Sequence, residues 1–141
     1  MSAIISHQTA LVYVMVVAAV ADGKLMDAEL SNISEIIKIL PIFKDYERDK
    51  VYRAANDCTS MLDQEDGLDA VLGLIRDALP EKLRETAYAL ACDIVSVDGV
   101  AEQEELRWLE MLRDQLGINH LHAAAIEWAT RVRYRRVELF S

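Results

Sequence analysis

Residues 10–21, Ala-Leu-Val-Tyr-Val-Met-Val-Val-Ala-Ala-Val-Ala, form an unbroken run of 12 apolar positions. The valines favour a strand by propensity, but the run is long and holds no turn signal, so it predicts a helix over 6–21. A helix apolar on every side belongs at the centre of a fold. Asp22-Gly23 ends it, since glycine takes the left-handed conformation after a helix at no steric cost. Leu30, Ile33, Ile36, Ile37 and Leu40 recur at helical spacing and predict a second helix over 27–40, stopped by Pro41. A third helix is expected over 45–62, with Tyr46, Val51, Ala54, Ala55, Cys58 and Met61 or Leu62 inward. The stretch 63–67, Asp-Gln-Glu-Asp-Gly, reads as a loop. A fourth helix then spans 68–79, with Val71, Leu72 and Ile75 inward. Pro80 opens a fifth that runs to Val97 through Leu83, Ala87, Leu90, Ala91 and Ile94. Asp98-Gly99 stops it. A sixth helix over 102–116 turns Leu106, Leu109, Leu112 and Leu116 inward and ends at Gly117. A seventh over 119–137 closes an all-α bundle of about seven helices.

The chain also matches itself. At a shift of 76 residues, positions 11–41 fall on 87–117 without a gap. Asp22 meets Asp98, Gly23 meets Gly99, Glu29 meets Glu105, Leu30 meets Leu106 and Leu40 meets Leu116. These identities gather on the loop and on one face of the following helix, which marks a duplicated helix–loop–helix unit. Two such units with complementary apolar faces can pack about a pseudo-two-fold axis.

Length and composition narrow the class. A chain of 141 residues, 52% hydrophobic and 28% charged, reads as one globular domain over 1–141 that buries about 70% of its unfolded surface. Two prolines and five glycines are too few for an all-β fold. The apolar run falls well short of the ~20 residues a bilayer span needs. Residues 1–9 carry no Lys or Arg, so neither membrane insertion nor a signal peptide is expected. Cys58 and Cys92 lie 34 residues apart in apolar helical patterns. They read as buried thiols in a reducing compartment, which places the chain in the cytoplasm. The net charge of −9 repels a phosphate backbone and argues against nucleic acid as a partner.

The same acidity suits cations. Asp22 and Glu29 flank one tight corner, and Asp98 and Glu105 flank its repeat. Their carboxylate oxygens are the donors that hard cations such as Ca²⁺ or Mg²⁺ prefer. Asp93 precedes the second corner and has only Val17 as its repeat counterpart, so the second copy is richer in carboxylates. A metal-free role is open to the same residues. Asp at a helix end accepts main-chain N–H groups, and Glu at the third helical position reaches back as half of a capping box. Against that role, the expected N-caps, Met26 and Glu102, are not capping residue types. An EF-hand fails on ligand count, because Ala18 and Val20, and in the repeat Ile94 and Ser96, sit where its earlier oxygen donors belong.

The segments "AAVADGKLMDAEL" and "DIVSVDGVAEQEELRWLEMLRDQLGI" share one pattern. An apolar helix is followed by Asp-Gly, five residues, Glu and a Leu/Ile-rich helix. The pattern occurs twice around a central helical section. Together with "LPEKLRETAYALACDI" it resembles the TerB family of tellurite-resistance and TerB-like domains over about residues 8–118. The resemblance implies an all-helical bundle with internal duplication and a place in a bacterial tellurite and stress response. It also implies divalent-metal binding by acidic residues, which by position are Asp22, Glu29, Asp98 and Glu105, with Asp93 as an addition.

Other chemistry is thin. His120 and His122 stand two apart, a spacing that turns helical side chains away from each other, so zinc is not expected. His7 is isolated. No nucleophile, triad or phosphate loop is in place, and no enzyme activity is expected. Residues 119–141 hold four Arg against Glu127 and Glu138, a net of +2 that leaves −11 for the rest. That cluster, 131–136, can seat a protein partner, pair with the chain's own acidic surface, or meet a second copy in a homo-oligomer. A metal-free helical scaffold or adaptor is the competing reading of the whole.

Overall fold

The computed structural model describes residues 4–20, 25–97 and 103–137, and among them it holds seven α-helices and no strand. The helices are α1 (His7–Ala19), α2 (Asp27–Ile39), α3 (Arg48–Leu62), α4 (Gly67–Ala78), α5 (Arg84–Ser96), α6 (Gln103–Gln115) and α7 (His120–Arg133). Short 3-10 turns, Pro41–Phe43 and Glu81–Leu83, precede α3 and α5.

The apolar run does what its composition demands. Every residue of α1 from Ala10 to Ala19 is buried. Its neighbours are α3, α4 and α5, with α2 and α6 completing the cover. Its start is fixed by Ser6, whose side chain accepts the Thr9 N–H at 3.0 Å. With no polar side it has no wrong face to present, so its neighbours set its orientation. One of them ties itself on by a hydrogen bond: Trp108 of α6 donates its indole N–H to the Val14 carbonyl at 3.2 Å. α5 is the second hub, packed on α1, α6 and α7. None of the described helices is long and apolar enough to cross a membrane.

Several expected boundaries move, each for a local reason. The third helix does not begin at residue 45. Asp45 takes a left-handed φ of 68° after the 3-10 turn, and α3 starts three residues later. Pro80 caps the Glu81–Leu83 turn rather than opening the fifth helix. The seventh helix ends at Arg133, short of 137, with Tyr134 as its C-cap. Asp22-Gly23 and Asp98-Gly99, expected to stop α1 and α5, lie outside the described residues. Gly117 has φ 63° and closes α6. Its N–H reaches the Asp114 carbonyl at 3.3 Å, and the Ile118 N–H reaches that of Arg113 at 3.0 Å. These are the paired bonds of a Schellman end.

The largest change is on α6. Of the four leucines expected inward, Leu112 and Leu116 are buried and Leu109 packs half-buried against the core, but Leu106 is 52% exposed and Trp108, at 3%, is buried instead. The duplicated unit keeps its face but not its deepest positions. In α2 these are Ile33 and Ile37; in α6 they are Trp108 and Leu112, one residue off the sequence shift. The bulk of Trp108 rotates α6 about its axis to bury the indole.

Candidate functional site

The described residues on either side of the two acidic corners follow the same order. α1 leads to α2 and α5 leads to α6, and Glu29 and Glu105 are each the third residue of their helix. Both are half-buried. Asp22 and Asp98 fall outside the described residues. In α2 the N-cap is Met26, as the sequence led us to expect. Its side chain cannot cap, so Glu29 serves from the other side: its Oε1 accepts the Met26 N–H at 2.8 Å. A negative charge at this end also complements the helix dipole.

Asp93 sits on the last turn of α5, with its side chain 19% exposed. Its Oδ1 accepts a hydrogen bond from the Arg133 guanidinium of α7. Burial pushes its carboxyl above the ordinary aspartate range, and the Arg133 pair opposes that shift without cancelling it. A neighbouring arginine, Arg136, donates to the Val97 carbonyl at 3.3 Å. Two of the four C-terminal arginines therefore fasten the end of α7 to the end of α5. The other two stack on Trp128, with Arg131 5.8 Å and Arg135 5.5 Å from the ring centre. Sequence reading missed the Asp93–Arg133 pair, although the one basic cluster in an acidic chain was its signal.

A second polar feature carries no sequence motif. α6 and α7 both pack on α5 and leave between them a hollow of about 320 Å³. At one end the Tyr88 hydroxyl donates to Glu127 Oε2 at 2.5 Å, and Arg113 reaches the same oxygen at 3.4 Å. Burial, reinforced by the Glu127 carboxylate, holds the Tyr88 hydroxyl protonated far above neutral pH. Leu106, Leu109 and Val95 line the rest. The network locks three helices together and places no nucleophile beside a base.

The remaining candidates resolve as structure. His122 bonds Glu85 of α5 through Nδ1 at 2.6 Å, while His120 is exposed. Cys58 and Cys92 are free and buried, and burial pushes both thiols up to about 12. Among the described residues, no group of three or more His, Cys, Asp or Glu side chains converges as a metal site would need. No curated protein and no solved structure matches this chain. The family model described as Tellurite resistance protein TerB matches residues 8–127.

Proposed function

The chain belongs to the TerB family, and from that premise we propose a non-catalytic, cytoplasmic stress-response module of the tellurite-resistance type that holds a divalent cation at its acidic corners. The residues in view are Asp22 and Glu29 at the first corner, and Asp98, Glu105 and Asp93 at the second. The donor set fits a hard cation in kind, being carboxylate throughout with no nitrogen or sulfur. A bound Ca²⁺ or Mg²⁺ would supply positive charge there and offset the mutual repulsion of these carboxylates. The chain's own part is positional. α2 and α6 each present a glutamate at the third residue, seven positions after an aspartate in the sequence. That duplication is the observation on which the reading rests. An acidic chain is a poor direct receptor for an oxyanion, so the stress role runs through a cation and a protein partner rather than through tellurite itself.

The metal-free adaptor has its own support. Glu29 caps α2 and Asp93 pairs with Arg133, which are structural duties. Calorimetric titration with Ca²⁺, Mg²⁺ and Mn²⁺ separates the two readings. Metal binding predicts heat and a raised melting temperature, both reduced in Asp98→Asn with Glu105→Gln; unchanged binding in that variant counts against it. No heat and no melting shift at millimolar metal leaves the adaptor. The adaptor reading in turn predicts that Asp22→Ala and Asp98→Ala each cost about 1 kcal/mol in lost capping, whatever metal is present.

A further inference from the structure

The outward face of α7 carries an apolar stripe that the fold leaves uncovered. Leu121, Trp128 and Val132 are 76%, 56% and 44% exposed. Ala125 is exposed between them, while Ala123 and Thr130 on the opposite face are buried. Positions 121, 125, 128 and 132 follow the spacing of a helix that packs along another helix.

The stripe complements itself. Set against a reversed copy, the register that puts Leu121 on Val132 of the second copy also puts Trp128 on Ala125 of the second copy. A large ring then meets a small side chain, twice, about one two-fold axis. The charges agree with this direction. Residues 114–130 contain no Lys or Arg; of their two carboxylates, Asp114 lies on α6 and Glu127 turns to Tyr88 and Arg113, so the first turns of the stripe carry only His120 and His122 as titratable groups. Arg131 and Arg135 crowd the other end of the stripe over Trp128. An antiparallel pair lays each arginine-bearing end along the cation-free end of its mate. It separates the two Arg131 residues by nine residues of helical rise, about 13 Å, which exceeds the screening length of ~8 Å at physiological salt. A parallel pair would stack the two basic ends instead.

We propose that α7 docks antiparallel on α7 of a second copy of this chain, with Trp128 of each copy over Ala125 of the other. One helix face covers less than the ~1,600 Å² of a standard interface, so the association is reversible and depends on concentration.

Sedimentation equilibrium of the full chain, from low micromolar to several hundred micromolar, tests this. The weight-average mass should climb from 15.9 kDa toward twice that value. Trp128→Asp should hold the chain monomeric throughout. Ile39→Asp, on a still more exposed position of α2, should leave the association unchanged. If circular dichroism shows that Trp128→Asp has lost helix, Val132→Lys replaces it. Direction is read with a short bis-maleimide linker. A mixture of Leu121→Cys and Val132→Cys proteins should cross-link to each other, while Leu121→Cys alone should not cross-link to itself. A chain monomeric at every concentration overturns the proposal and leaves the stripe to a different protein. Association indifferent to Trp128→Asp, or self-linking by Leu121→Cys, overturns it as well.

Discussion

Asp93 is a largely buried carboxyl paired with Arg133, and that arginine does not fully compensate for its burial. Its raised pKa means that the folded chain binds this proton more readily than the unfolded chain does. The associated stability is present below the ordinary aspartate pKa and is lost as pH rises through the folded-state value. Thermal melts from pH 3 to pH 7, run on wild type and on Asp93→Asn, should therefore show the wild type losing ground to the variant as pH rises. A difference that stays flat with pH would remove the assignment. Gly67 is constrained in a different way. It is buried at the start of α4, and a Cβ there would lie 2.0 Å from the Met61 carbonyl oxygen. Backbone cannot yield as a side-chain tip can, so Gly67→Ala should destabilise the fold by about 1–3 kcal/mol in urea unfolding.

At the scale of elements, α6 gives the clearest test. Trp108→Ala removes a buried indole and its bond to Val14, and should cost about 3–5 kcal/mol. Leu106→Ala, on the half-exposed edge of the same helix, should stay within about 0.5 kcal/mol. Comparable losses at the two positions would restore the face read from leucine spacing. That spacing explains what was legible and what was not. Helix existence and order followed from apolar periodicity, and α1 was placed at the centre because its run has no polar side. The rotation of α6 was hidden, because Leu106, Leu109 and Leu112 also fall on a valid helical face. Leu109, Leu112 and Leu116 keep their inward positions, and Trp108, bonded to Val14 of α1, is buried where Leu106 was expected. The 3-10 turns before α3 and α5 were hidden as well, since Asp45 in a left-handed conformation leaves no mark on hydrophobic pattern. Of the candidate site, the glutamates were placed correctly at the third residue of α2 and α6. The Asp93–Arg133 pair joins residues 40 apart, and no local pattern carries such a contact.

For the molecule as a whole, charge is the unbalanced quantity. With a net of −9 and two of the four C-terminal arginines bound to the end of α5, the remaining acidic surface repels itself. Raising salt from about 10 mM to 150 mM shortens the screening length from ~30 Å to ~8 Å. The melting temperature should rise over that range, and a fall would mean that attractive pairs dominate. Family membership now reaches residue 127, inside α7, further than the sequence resemblance extended. The central position of α1 has a consequence in time as well as in space. During synthesis its apolar cylinder leaves the ribosome before α3, α4 and α5 exist to cover it. One of its fixing bonds, from Trp108 to Val14, closes a loop of 94 residues. Such late, distant closure slows folding relative to bundles built from neighbouring hairpins. The nascent chain thus carries its future core on the outside until the later helices are made.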